Sequence, residues 1–317
     1  MSRDLSAVHP ELRAAAARFP TIVLNRWTIG LMQTLTSLIP FGKPAAGVEV
    51  SKVYAVGDDG QRIMLRIARP QGLRAPAPAL LWIHGGGLVV GSTKQDLPMI
   101  TRFAQRLGIV VAAVEYRLAP GHPYPAAIDD CYAALKWVHA NAGSLGVVPE
   151  RIAVGGASAG GGLAASLAQM ACDRGEIALA HQLLIYPMLD DRSALLTDLP
   201  HQSLLTWTPQ HNRFGWESYL GQRVGQASAP PYAVPARRDD LSGLPPAWIG
   251  VGTLDLFYDE DVAYAEKLKR HGVPCELVTV EGAFHGFDIF GAQIPVVRDF
   301  IESQMNALRR SLLSDAT

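Results

Sequence analysis

A sharp strand-to-helix bend is written into residues 151–167, RIAVGGASAGGGLAASL, and it limits the folds open to this chain. Ile152, Ala153 and Val154 read as a buried strand, and Leu163 to Cys172 as a helix rich in alanine and leucine. Passing from one to the other within about four residues leaves room only for small side chains around the bend. Gly156 and Gly160, two residues either side of Ser158, meet that demand. The pattern is GxSxG, which lifts a serine oxygen above the end of a sheet and aims the NH groups of the next helix towards it. An ordinary glycine-rich turn with an idle serine reads the same over five residues, so the rest of the chain has to decide.

From residue 48 onward strand-like and helix-like segments alternate. VEVSKVYAV and QRIMLRIARP flank GDDG, the signature of an antiparallel hairpin. ALLWIH (79–84), IVVAAVEY (109–116), RIAVGG (151–156), HQLLIYP (181–187), PAWIGVG (246–252) and CELVTVEG (275–282) follow, for eight strands in all. Helices are expected near 96–107, 129–141, 159–172, 259–271 and 293–313. Near-continuous apolar strands between amphipathic helices predict an α/β fold, with a mostly parallel sheet covered on both faces. The stretch from about 190 to 235 breaks the rhythm, with Trp207, Trp216, scattered prolines and no strand. An insertion after the C-terminal end of a strand lies on the ligand-binding face of such a sheet. It is expected to join the first 45 residues as a cap on a single domain covering 1–317, since no internal repeat or linker marks a second one.

Composition narrows the partners. With 317 residues, 49% hydrophobic and 18% charged, the chain can bury a large core. The net charge of −1 carries no basic or acidic block, so nucleic acid is not expected as a partner. Cys131, Cys172 and Cys275 are far apart and odd in number, which fits buried thiols in a reducing compartment. The first twenty residues lack the pattern of a secretory signal, and a cytoplasmic location is expected. Residues 21–39 are apolar but interrupted by Asn25, Arg26 and Gln33, so they read as a helix covering the protein's own surface. Peripheral membrane contact is the lesser reading. Oligomeric state is not legible, and a homodimer is left open.

A serine hydroxyl needs a base to take its proton and a third group to orient that base. His285, in EGAFHGF, directly follows a strand and sits in a loop at the C-terminal edge of the sheet. His9, His139, His201, His211 and His271 lie in helical or polar contexts that suit a solvated surface. Asp255, in WIGVGTLDLFYDED, occupies the corresponding loop one strand earlier. Asp259, Glu260 and Asp261 open a helix, where acids favour its dipole without any catalytic task. The order Ser158, Asp255, His285 is that of an α/β-hydrolase. LLWIHGGGLVVGS then offers backbone NH groups for an oxyanion: Gly86 and Gly87 first, Gly85 as the alternative in register, with the NH of Ala159 completing the set. One such donor is typically worth about 2.7 to 4 kcal/mol of transition-state stabilisation. His84 is expected to organise the loop by hydrogen bonding. No metal-binding or nucleotide-binding pattern accompanies these groups.

HGGGLVVGS, YRLAPGHPYPAAIDD, GGASAGGGLAA, DLFYDED and EGAFHGF, in this order over residues 84–288, resemble the bacterial hormone-sensitive-lipase-like carboxylesterases of the α/β-hydrolase superfamily. The resemblance implies a two-part cap, a triad of Ser158, Asp255 and His285, no cofactor, and hydrolysis of small, short-acyl esters. Two positions depart from the family pattern. Ala157 stands where an acid often precedes the nucleophile, and Leu256 where proline usually follows the aspartate. The prolines of YRLAPGHPYP are read as stiffening a loop rather than touching substrate. A non-catalytic receptor on the same scaffold, or a related lipase, lactonase or amidase, are the alternatives.

Overall fold

The computed structural model describes residues 4–18, 24–38, 42–196 and 205–314. The strands are β1 (Val48–Val56), β2 (Arg62–Pro70), β3 (Ala77–Ile83), β4 (Val110–Glu115), β5 (Val147–Ala157), β6 (His181–Ile185), β7 (Ala247–Gly252) and β8 (Cys275–Val280). They form one sheet in the order β1-β2-β4-β3-β5-β6-β7-β8. The first hairpin is antiparallel, β2 meets β4 antiparallel, and every pairing from β4 to β8 is parallel. The eight-stranded α/β-hydrolase architecture expected from the sequence is therefore present.

The helices are α1 (Arg13–Arg18), α2 (Ile29–Leu38), α3 (Leu97–Leu107), α4 (Ala126–Ala140), α5 (Ala142–Leu145), α6 (Ala159–Arg174), α7 (Pro209–Leu220), α8 (Tyr258–Arg270) and α9 (Pro295–Leu312). Successive strand residues point to opposite faces, and β3 divides accordingly. Leu81 and Ile83 join the core that includes Leu135, Leu167 and Leu268 from α4, α6 and α8. Leu80 and Trp82 join Phe103 and Phe300 from α3 and α9. Both faces are covered, which is why β3 is buried along its whole length while β1, at the edge, alternates. Buried side chains on both faces explain the near-continuous apolar runs read in the sequence.

Several local expectations are corrected. Helix α4 starts at Ala126, because Pro125 fixes the turn and alanines can follow it directly. The insertion holds a helix that was not foreseen, α7, although Thr208 caps it by accepting from the His211 NH at 3.2 Å and Pro209 opens it. His211 is buried, its ring centroid 5.5 Å from that of Trp207, rather than solvated. His201 lies outside the described residues. Of the covering helix expected over 21–39, residues 21–23 and 39 also lie outside them.

Within α2 the polarity is the reverse of a simple surface helix. Gln33 points inward and donates to the carbonyls of Val89 and Ala119 at 2.9 and 3.1 Å, while Leu31, Leu35 and Leu38 are exposed. Among the described residues no helix is long and apolar enough to cross a membrane.

Candidate active site

Ser158 stands between the end of β5 and the start of α6 with φ 57° and ψ −123°. A non-glycine residue with positive φ is strained and needs its surroundings to hold it there. The Ser158 NH donates to the Ile185 carbonyl at 2.8 Å, and the Ser158 carbonyl accepts from Gly162 and Met188, both at 3.0 Å. Close packing accounts for the flanking glycine: a Cβ on Gly160 would lie 2.1 Å from the Ile83 carbonyl oxygen. Gly160→Ala is therefore expected to destabilise by about 1–3 kcal/mol, the usual range for overpacking a filled site. Thermal unfolding checks it, and an unchanged melting temperature would mean that the backbone yields at little cost.

The loops after β7 and β8 bring two more groups to this point. His285 Nε2 lies 2.8 Å from Ser158 Oγ, and His285 Nδ1 lies 2.8 Å from Asp255 Oδ2. A carboxylate only accepts, so Nδ1 carries the proton and Nε2 is left to accept from the serine hydroxyl. Asp255 is oriented in turn by the Phe257 NH, which donates to its other oxygen at 2.9 Å. The loops are tied to each other by the Leu254 NH on the Ala283 carbonyl at 2.9 Å. All three side chains are buried, and Thr206 from the insertion donates to the His285 carbonyl.

The glycine loop lies beside the serine. Gly86 and Gly87 have φ 123° and 61°, and the Gly86 carbonyl accepts from the NH groups of Val89 and Val90, closing a tight turn. His84 Nδ1 is 2.8 Å from the Gly85 carbonyl, so the proton of that ring sits on Nδ1. Burial pushes the His84 pKa down and keeps the imidazole neutral. Its ring stacks on Tyr116 at 4.2 Å, and the Tyr116 hydroxyl donates to the His84 carbonyl at 2.9 Å. The proline loop supports the same element, with the Ala119 NH donating to the Leu88 carbonyl at 3.0 Å.

A cavity of about 790 Å³ opens onto these groups, lined by Ser158, His285 and Gly85, Gly86 and Gly87 among others. Ala14, Ala15 and Arg18 of α1 line it as well, as do Thr206 and Trp207 of the insertion. Trp207 lies directly on the glycine loop, where a Cβ on Gly87 would come within 2.0 Å of its ring. Ala157, the first departure from the family pattern, lines the same cavity.

Three further residues around the site carry no signal in the sequence. Tyr186 meets the His285 ring edge-on at 4.8 Å and donates its hydroxyl to Asp288 at 2.6 Å. Asp96 lines the cavity and accepts from the Trp82 indole at 2.7 Å. Burial pushes the Asp96 carboxyl up to about 7 and raises that of Asp288. Glu260, expected only to favour a helix dipole, accepts from the NH groups of Leu189 and Asp190 at 2.7 and 3.2 Å. It thereby ties the root of the insertion to α8. Its neighbour Asp261 is fully buried, with the carboxyl held well above the usual range by that burial.

Residues 80–289 match the family described as the alpha/beta hydrolase fold. The chain belongs to the alpha/beta hydrolase family. Among its relatives in that family is the carboxylesterase NlhH of Mycobacterium tuberculosis, 38% identical over 81% of this chain and 81% of its own. An ethyl acetate hydrolase of Pseudomonas putida is 33% identical over 83% of each. A solved bacterial heroin esterase superposes with a TM-score of 0.84 at 36% identity, covering 98% of this chain and 99% of that one. These alpha/beta hydrolases agree with the carboxylesterase resemblance carried by the motifs, and the chain is a carboxylic ester hydrolase. Among the described residues no group of His, Cys, Asp and Glu side chains is arranged to hold a metal ion.

Proposed function

We propose that this esterase works through Ser158 as nucleophile, His285 as general base and acid, and Asp255 as the group that fixes the histidine. The hydrogen-bonded run from Ser158 Oγ through His285 to Asp255, at 2.8 Å for each step, carries the reading. His285 Nε2 takes the serine proton while Oγ bonds to the ester carbonyl carbon. The carbonyl oxygen becomes an oxyanion, received by the NH groups of Gly86, Gly87 and Ala159, with Gly85 as the alternative donor. His285 then gives the proton to the departing alcohol, leaving an acyl group on Ser158. Water attacks that acyl group as His285 takes its proton, and His285 passes the proton to Ser158 Oγ as the bond to the acyl carbon breaks and the carboxylic acid leaves.

The substrates proposed are small esters with short acyl chains. Trp207 seated on Gly87 supports this, because the wall beside the oxyanion donors is an indole that a long chain would have to displace. The lining of the cavity by α1 and by the insertion supports a cap made from about 1–45 and 190–235 on a single domain. A cytoplasmic location fits three free cysteines. The p-nitrophenyl esters test the substrate class: acetate and butyrate are expected to be hydrolysed at least about tenfold faster per mole of enzyme than laurate. Laurate turned over as fast as butyrate would overturn the short-acyl reading.

A further inference from the structure

Asp96 has no part in the steps above, yet among the described residues it is the only carboxylic acid lining the cavity that holds Ser158. Its Oδ2 is fixed by the fully buried Trp82 indole, so the carboxyl is held in one place. Among the described residues no lysine, arginine or histidine forms an ion pair with it. The charged groups around it are mostly of its own sign. Asp288, on the turn after His285, and Glu115, at the end of β4, both act to raise its pKa. Glu115 is itself engaged by the NH and hydroxyl of Thr93. Among the described residues the cationic side chain lining the cavity is Arg18, which is exposed on α1. Three aromatic rings, Tyr186, Trp207 and Phe290, line the same space.

We propose that Asp96, together with these rings, makes the enzyme prefer esters bearing an alkylammonium group to neutral esters of the same shape. The proposal rests on this cavity being the substrate site. A cation in an aromatic-walled cavity gains from the ring faces, and a carboxylate without a cationic partner supplies the opposite charge.

Acetylcholine and 3,3-dimethylbutyl acetate test this, because they share one shape and only the first carries a charge, which is the same at every pH. The measured quantity is the ratio of their kcat/KM values. Below the Asp96 pKa of about 7 the carboxyl is neutral and offers the cation little. Above it the carboxylate is present, so the ratio for wild type is expected to rise about tenfold between roughly pH 6 and pH 8. In Asp96→Asn, which keeps an acceptor for Trp82, the ratio is expected to be flat with pH and about tenfold lower at the alkaline end. Should that variant not fold, the wild-type profile alone carries the test. A pH-independent ratio in wild type, or an unchanged ratio in Asp96→Asn, would overturn the proposal. Failure of wild type to hydrolyse either ester would overturn the esterase reading of this cavity, and this proposal with it.

Discussion

Ser158→Ala is expected to lose at least about 10,000-fold in kcat on p-nitrophenyl butyrate while unfolding at the same temperature as the parent. The loss follows because the proposed mechanism bonds Ser158 Oγ to the acyl carbon, and alanine has no such atom. Stability should hold because alanine and serine feel the same backbone strain at φ 57°, and the NH and carbonyl of this residue keep their partners. A folded variant within tenfold of wild type would remove Ser158 from the mechanism.

Asp255→Asn is expected to cost about 10,000-fold in kcat, the loss associated with reversing the tautomer of a catalytic histidine. The geometry explains why the asparagine cannot simply turn to suit its neighbour. The Phe257 NH donates to one carboxylate oxygen at 2.9 Å, so it claims the carbonyl end of an amide and leaves the NH₂ facing His285 Nδ1. Nδ1 must then accept, the ring proton moves to Nε2, and the serine loses its base. Steady-state kinetics beside a near-ultraviolet spectrum of the folded variant check this. A loss of less than about tenfold would mean that Asp255 only packs against the ring.

Much of this was legible in the sequence because the strands are buried on both faces and end in motifs. HGGG, GASAG, DLFYDED and EGAFHGF each follow a β-strand, so chain order and strand ends place Ser158, Asp255, His285 and the glycines at one edge before any coordinate is known. Illegible parts depend on contacts between distant segments. Trp207 was noticeable as a tryptophan in an irregular insertion, but its seat on Gly87 joins residues far apart in the chain. Asp96 sits in the ordinary polar run TKQD, and only its place in the cavity and its bond to Trp82 distinguish it. For His211 the helical context predicts exposure, whereas the insertion folds over it; Glu260 opens α8 as expected, and its bond to the root of the insertion is again a contact between distant segments. Helix α7 is not legible, although TPQH carries both a capping threonine and a first-turn proline, because the surrounding stretch lacks apolar periodicity.

The most direct measurement is the site of covalent labelling by a fluorophosphonate, read by peptide mass spectrometry alongside residual activity. The mechanism predicts one adduct per chain, on Ser158, with hydrolysis lost in step with labelling and no adduct in Ser158→Ala. Inactivation with the phosphonate on another residue, or full activity in a chain labelled at Ser158, would contradict it.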